Sequence, residues 1–164
     1  KEFIKKKPQE SQVEMTEMVQ PQHTNALCSV FGGVVLSWVD TAAAICAQKH
    51  SEKKVVTASF DAMQFLAPIP LGWIVNIKAS VNFVARSSCE VGVRITAENP
   101  LTGEFHHTAS AYVTMVALDS HGKSIAMPKV EPETEEEKIR FENAQERRKA
   151  RLDLKEKFLS KKKS

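Results

Sequence analysis

The sequence lacks several features by which whole classes of protein are recognised. Its three cysteines, Cys28, Cys46 and Cys89, are odd in number and show no CxxC spacing, which favours reduced thiols over a disulfide framework. The five histidines show no metal-ligand spacing, so no zinc or other metal site is expected. No run is long enough to span a bilayer, and no signal-peptide pattern is present. We therefore expect a cytoplasmic protein that does not insert into membranes.

The chain also lacks a strong charge of one sign outside its two ends. The formal net charge is +3 at pH 7, yet residues 8–130 carry eight Lys and Arg against ten Asp and Glu. A nucleic-acid site needs a basic surface interleaved with aromatic residues, so no nucleic-acid partner is expected. Residues 1–10 are predicted to form a solvated tail, residues 11–130 one domain, and residues 131–164 a charged helix with a Lys-rich end.

An apolar, Ala-rich run predicts one long helix, and partial alternation and turn residues predict five strands. The helix runs from Val30 to about His50, and the strands are expected at residues 12–19, 54–65, 73–84, 89–99 and 105–118. Short turns make the later strands antiparallel neighbours. A helix that is this apolar must be covered by the sheet. The predicted fold is α+β, a curled five-stranded antiparallel sheet around a central helix, with a charged helix from Glu133 to Phe158 that packs lightly on the domain or a neighbouring subunit.

The stretch from Asn25 to Asp40 holds the residues best suited to chemistry. Gly32 and Gly33 open the helix, and bare N–H groups at a helix start can hold a developing negative charge. Asp40 lies within the apolar helix, where a carboxylate rarely occurs without a partner or a function. The combination indicates acyl-transfer or hydrolytic chemistry. Purely structural roles remain open: a carboxylate satisfied by a neighbour, a turn residue at Asn25, and close helix packing at Gly33.

Three short motifs carry a resemblance to a known family. N-x-x-x-x-x-F-G-G beginning at Asn25, W-V-D ending at Asp40 and V-V-T-A-S-F-D ending at Asp61 together resemble the hotdog-fold acyl-CoA thioesterases, over about residues 12–130. The resemblance implies a hotdog fold, hydrolysis of fatty acyl-CoA to fatty acid and coenzyme A, and no cofactor beyond the coenzyme A of the substrate. It also implies a homodimer as the smallest active unit and a trimer of dimers as the expected assembly.

The resemblance also implies roles for single residues. By position, Asn25 and Asp40 match the catalytic pair, and Gly33 would polarise the thioester carbonyl. Asp40 would activate a water or attack the carbonyl directly, and both remain open. A turn that matches the family's phosphate-side segment is expected to bind the phosphates of coenzyme A through Arg86, Ser87 and Ser88. Three residues that alternate along one strand are expected to flank the pantetheine arm: Thr57, Ser59 and Asp61.

Two other functions on the same fold remain as alternatives. One is a non-catalytic module that binds or senses acyl-CoA. The other is a hydratase or dehydratase, which pairs a histidine with a carboxylate; the first histidine after Asp40 on the helix is His50, at its far end.

The spacing of Gly33 and Asp40 predicts a site shared between subunits. Seven residues of helix place them on nearly the same face but about 10 Å apart along the axis. An oxyanion donor and a general base must both lie within about 3 Å of one small reacting group. If two helices run antiparallel across a twofold axis, Gly33 of one chain meets Asp40 of the other.

Overall fold

The computed structural model describes residues 4–163. Within them, two α-helices, α1 (Gly32–Ser51) and α2 (Glu135–Lys162), accompany seven strands. The strands are β1 (Lys5–Lys6), β2 (Val13–Met18), β3 (Lys54–Phe65), β4 (Ile74–Val84), β5 (Ser88–Glu98), β6 (Phe105–Leu118) and β7 (Lys129–Val130). Neither helix of this part of the chain is both long and apolar enough to cross a membrane.

Five of the strands form one antiparallel sheet in the order β2-β4-β5-β6-β3. Alternate residues of β4, among them Val75, Ile77, Ala79 and Val81, are almost fully buried, because successive side chains of a strand point to opposite faces. The five predicted strands are confirmed, with ends that differ from the prediction by one or two residues.

Helix α1 lies across one face of this sheet and supplies the centre of the core. Its buried residues recur at helical spacing: Val35, Trp38, Val39, Ala42, Ala43, Cys46, Ala47, His50 and Ser51. The alanines let the helix axis approach the strands closely. The helix ends where Glu52 adopts a left-handed conformation, with φ of 56°. The predicted α+β fold, with one central helix against a five-stranded antiparallel sheet, is thereby confirmed.

Residues 4–10 differ from the solvated tail predicted for residues 1–10, of which residues 1–3 lie outside the described part of the chain. Strand β1 pairs in parallel with β7, and Pro8 and Ser11 are buried. The Nζ of Lys7 lies 2.7 Å from Glu133, and Gln9 donates a hydrogen bond to Glu137. The Lys-rich composition indicates a solvated tail, but Lys6 and Lys7 keep their ammonium groups near acceptors, and the backbone of β1 completes a second, two-stranded sheet with β7.

Helix α2 covers part of the opposite face of the large sheet and packs more firmly than the predicted appendage. Phe141 meets the ring of Phe83 edge-on with centroids 5.1 Å apart, and Ala144 is 1% exposed. The Arg147 guanidinium makes two hydrogen bonds to Glu90, which is buried on β5. From Leu152 onward, the apolar side chains of the helix are half exposed.

Candidate active site

The start of α1 presents two backbone N–H groups without an acceptor. The N–H of Val34 bonds the carbonyl of Phe31, whereas those of Gly32 and Gly33 donate to no acceptor among residues 4–163. Both glycines are exposed. A Cβ on Gly33 would lie 2.6 Å from the Phe31 ring, so the absence of a side chain lets that ring fold over the helix start. The helix start therefore offers donors to an anionic oxygen.

Asp40 lies two turns further along α1, and its carboxylate is oriented by β3. Thr57 Oγ1 donates a 2.5 Å hydrogen bond to Asp40 Oδ1. The other carboxylate oxygen accepts no hydrogen bond from the described residues. Asp40 is half-buried and Thr57 is exposed in the single chain. One oxygen is thus held by the protein while the second is free to accept a proton or to attack a carbon atom.

Asn25 organises the loop before α1. Its Oδ1 accepts hydrogen bonds from the N–H of Leu27 at 2.9 Å and, more weakly, from Ser29. The turn it closes holds Cys28 in a left-handed conformation, with φ of 58°. The Nδ2 group of Asn25 donates to no described residue. Asn25 thus builds the turn expected of an asparagine and still offers an exposed donor.

The three alternating residues of β3 do not share one face. The register with β6 shifts by one residue after Thr57 and again after Phe60, so β3 carries two bulges within a few residues. Thr57 contacts Asp40 on the α1 side of the sheet, whereas Ser59 and Asp61 lie on the side of α2. The strict alternation that grouped Thr57 with Ser59 and Asp61 beside the pantetheine arm is interrupted by the first bulge.

Asp61 is surrounded by donors. Its carboxylate accepts hydrogen bonds from Ser59 Oγ at 2.7 Å, Thr114 Oγ1 at 2.5 Å and Arg151 Nη1 at 2.7 Å. Burial raises the pKa of Asp61, but these hydrogen bonds and the Arg151 charge outweigh it and hold the pKa below its usual value. Neither Arg151 nor Thr114 could be found from the sequence, because no spacing rule links Asp61 to α2, 90 residues later, or to β6, 53 residues later.

The turn between β4 and β5 contains the other predicted coenzyme A contacts. Arg86 is exposed and forms no ion pair with the described residues, while Ser87 and Ser88 are half-buried. Their carbonyls are used internally: that of Arg86 accepts from Met127 and that of Ser87 from Ala117. The Arg86 guanidinium is therefore exposed and has no ion-pair partner among the described residues, while the backbone of its turn is fixed by neighbouring segments.

A surface of exposed apolar side chains, which we call the α1–β3 patch, lies on and beside α1 and β3, the elements that carry Asp40 and Thr57. Its members are Leu27, Phe31, Leu36, Ile45, Val56, Phe65, Leu66 and Leu71, each between 38% and 85% exposed. Strand β3 is the last strand of the sheet, and its outer edge pairs with no strand among residues 4–163. A long unpaired edge beside an apolar patch is typical of a surface that another chain covers.

The remaining candidate side chains lie apart from Asp40 or are held in other contacts. His23 packs edge-on against Trp38, with centroids 5.4 Å apart. His50 is fully buried, and its Nε2 lies 2.6 Å from the carbonyl of Pro128. Cys28 is exposed, whereas Cys46 is buried, and burial raises the pKa of the Cys46 thiol to about 11.

Comparison with known proteins gives one consistent result. Residues 29–104 match the thioesterase superfamily. The uncharacterized acyl-CoA thioester hydrolase YkhA of Bacillus subtilis is 40% identical over 146 residues, 89% of this chain and 85% of that protein. An acyl-CoA hydrolase from Staphylococcus aureus, solved with butyryl coenzyme A, coenzyme A and coenzyme A disulfide, superposes with a TM-score of 0.87 at 36% identity, covering 98% and 99% of the two chains. An apo hexameric acyl-CoA thioesterase gives 0.89 at 39% identity, covering 92% and 96%.

The Staphylococcus aureus enzyme has also been solved with single alanine substitutions of an asparagine, an aspartate and a threonine. In that enzyme the three residues follow one another at the same spacing as Asn25, Asp40 and Thr57 in this chain. The spacing singles out the loop before α1, the carboxylate on α1 and the hydroxyl that bonds it.

Proposed function

This chain belongs to the acyl-CoA thioester hydrolases of the thioesterase superfamily, and from that premise we propose how its residues cleave the thioester. The enzyme converts an acyl-CoA and water into a carboxylic acid and coenzyme A. The observation that carries the proposal is the Thr57–Asp40 hydrogen bond, which fixes a carboxylate two turns of helix from two unpaired N–H groups. One feature supplies the base, and the other binds the oxygen that becomes negative.

The thioester carbonyl binds at the start of α1. Its oxygen accepts a hydrogen bond from the N–H of Gly33, where the helix dipole favours the charge that develops as the carbonyl carbon becomes tetrahedral. The Phe31 ring lies next to Gly33 and the Phe65 ring next to Gly32, so both rings border the helix start. Their half-exposed rings give the acyl chain an apolar surface next to the reacting carbon.

Asp40 acts as an ionised carboxylate. The Thr57 hydroxyl fixes Oδ1, so Oδ2 either takes a proton from the attacking water or itself attacks to form an anhydride. In both routes the thiolate of coenzyme A leaves when the tetrahedral intermediate collapses, and the thiolate takes up a proton. In the second route a water molecule then hydrolyses the anhydride, which releases the carboxylic acid and regenerates Asp40. The Nδ2 group of Asn25 donates to the water or to the thioester and positions it for attack.

The site is completed by a second copy of the chain. About 10 Å of helix separates Gly33 from Asp40, so one chain does not bring both to one thioester. The α1–β3 patch and the unpaired edge of β3 lie around both residues, and covering them across a twofold axis would bring Gly33 of one chain to Asp40 of the other. A homodimer is therefore the active unit, and the hexameric state of one similar thioesterase supports a trimer of dimers.

Coenzyme A is held chiefly through its phosphates. The free Arg86 guanidinium on the β4–β5 turn is suited to a phosphate, which guanidinium groups bind bidentately. Ser87 and Ser88 supply hydroxyl groups on the same turn. Binding of coenzyme A species by the Staphylococcus aureus enzyme supports this assignment of the ligand class.

The hydratase alternative lacks its histidine. His50 is about 15 Å along the helix from Asp40, is fully buried and is bonded to Pro128. No other observation favours that reaction.

Thiol release from acyl-CoA substrates of increasing chain length tests the proposed chemistry. We expect turnover by the unaltered protein and a fall in kcat of at least about a hundredfold in Asp40→Asn, which keeps the shape of the side chain but removes its basic oxygen. Retained turnover in Asp40→Asn would contradict the assigned role of Asp40. Binding of acyl-CoA without turnover by the unaltered protein would instead favour the sensor alternative.

A further inference from the structure

Strand β3 is irregular at the point where it meets the active site. Its two register shifts fall on either side of Ser59 and Phe60. Each bulge inserts an extra residue, bends the strand and re-aims the side chains that follow. The bulges interrupt the β3–β6 ladder at these two points, so other contacts are needed to fix the path of the strand between them.

The Asp61 carboxylate provides those contacts. Ser59 bonds it from within β3, Thr114 from β6 and Arg151 from α2. Arg151 Nη1 also donates to Thr114 Oγ1 at 2.7 Å, which closes a ring of hydrogen bonds. The Asp61 side chain is 7% exposed and that of Arg151 31%. A charged pair sheltered to this degree holds its geometry more tightly than a surface pair.

The same bulged segment positions Thr57 on the other face of the sheet. Thr57 directly precedes the first bulge, and its hydroxyl is the one described donor to Asp40. The carboxylate of Asp61 and the hydroxyl of Thr57 are thus coupled through a short length of strand whose path is set by the bulges.

We infer that Asp61 and Arg151 are positioning residues for catalysis: they fix the bulged segment of β3 from the α2 side so that Thr57 keeps its hydrogen bond to Asp40. The inference rests on the role proposed above for Asp40. It gives Ser59 and Asp61 a function on the face turned away from Asp40, distinct from the pantetheine contact expected from their alternation. It also gives α2 a part in the chemistry, although the helix does not touch the reacting atoms.

A second ion pair in the same layer provides a matched control. Arg147 of α2 bonds Glu90 of β5 with distances of 2.7 and 2.9 Å, and its guanidinium stacks on Tyr112. This pair attaches the same helix to the same face, and neither member hydrogen-bonds Asp61. Glu90 is paired with Thr114 of β6 without a register shift, and the shift nearest to it belongs to β4 rather than to β3. Its loss should loosen α2 without moving the bulged segment of β3.

The test compares kcat and KM for one acyl-CoA in Asp61→Asn, Ser59→Ala, Thr57→Val and the double variant Asp61→Asn/Thr57→Val. If Asp61 acts through Thr57, Asp61→Asn should lower kcat about tenfold and leave KM within about twofold, since Asp61 does not meet the substrate. Ser59→Ala removes one hydrogen bond and should give a smaller loss in the same direction. The double variant should be no slower than Thr57→Val alone, because both changes act through the same Thr57–Asp40 hydrogen bond.

Glu90→Gln and Arg147→Met are the controls, and they should keep kcat within about twofold despite lower stability. The inference is overturned if Asp61→Asn and Ser59→Ala turn over at the unaltered rate, if the losses in the double variant multiply, or if Glu90→Gln slows turnover as much as Asp61→Asn. Asp40→Asn, measured alongside, distinguishes failure of the proposed catalytic role of Asp40 from failure of the positioning role of Asp61. Full activity there would refute the proposed role of Asp40, whereas an inactive Asp40→Asn with an unaffected Asp61→Asn would refute the positioning role alone.

Discussion

At the scale of the residue, the two glycines at the start of α1 differ in a way that their adjacent positions in the sequence conceal. A Cβ on Gly32 would lie 3.5 Å from the Phe65 ring, an ordinary contact, whereas a Cβ on Gly33 would lie 2.6 Å from the Phe31 ring. Phe31 would have to swing away, and it caps the helix start where the thioester oxygen binds. The second glycine is therefore the one on which the geometry of the oxyanion site depends.

Gly33→Ala should lower kcat/KM by about tenfold or more, because the displaced Phe31 ring disturbs both the donor and the acyl-binding surface. Gly32→Ala is the matched control and should stay within about twofold of the unaltered protein. Steady-state rates on one acyl-CoA measure both variants, with thermal unfolding to show that each remains folded. Equal losses in the two variants would mean that helix propensity or general crowding, rather than the Phe31 contact, explains the glycines.

His50 gives the fold a predictable dependence on pH. Burial lowers its pKa below the ordinary value of 6.5, an effect that its hydrogen bond to Pro128 only partly offsets. As pH falls below about 6.5 the unfolded chain therefore takes up a proton before the folded chain does, and the free energy of unfolding decreases. Asp61 and Glu137, whose pKa values lie below 3.8 and 4.5, lose their contributions only at lower pH.

Urea unfolding midpoints between pH 5 and 8 measure this effect. The midpoint of the unaltered protein should fall from pH 7 to pH 5, while His50→Gln should show a flatter profile over the same range. A profile of unchanged slope in His50→Gln would assign the pH dependence to other groups.

At the scale of the element, α2 is attached by a buried ion pair despite its highly charged sequence. The Glu90 side chain is 7% exposed and that of Arg147 25%, so removing the arginine leaves a carboxylate buried without its cation. Arg147→Ala should lower the free energy of unfolding by about 3 kcal/mol. Arg140→Ala, which breaks an exposed pair with Glu136 on the same helix, should cost less than about 0.5 kcal/mol. Chemical denaturation measures the free energy of unfolding of both variants. Similar decreases in the two would contradict this account of how α2 is attached.

Much of the element order could be predicted from the sequence, because it depends on local periodicity. The five strands follow from partial alternation and turn residues, and the long helix follows from its apolar, Ala-rich composition. The pairing of β1 with β7 could not be predicted, since two short strands far apart in sequence carry no periodic signal. The bulges of β3 leave no such signal either, so Thr57 and Asp61 were assigned to one face. Asp61 reaches Arg151 because the bulges turn its side chain to the side of α2.

The site shows the same division between local and long-range information. Asn25, Gly33 and Asp40 stand out because each is unusual in its own setting: an asparagine in a loop, a glycine at a helix start, an acid in an apolar helix. The role of Thr57 as the donor to Asp40 needed the contact between β3 and α1, which no spacing rule supplies.

At the scale of the whole molecule, one chain presents the parts of a thioesterase without assembling them. The unpaired N–H groups of Gly32 and Gly33 and the free oxygen of Asp40 are separated along one helix. The apolar residues around them remain exposed in the single chain. Both facts are explained if the chemistry takes place between two copies.

Mixing two inactive variants tests this claim most directly. Asp40→Ala and Asn25→Ala should each be inactive alone. In a dimer of one chain of each kind, one site receives an intact Asn25 loop from the first chain and an intact Asp40 from the second. After exchange of equal amounts, verified by mass spectrometry of the intact dimers, we predict recovery of about a quarter of the unaltered activity, since half the dimers are mixed and each carries one complete site. No recovery in a sample with proven mixed dimers would contradict a shared site.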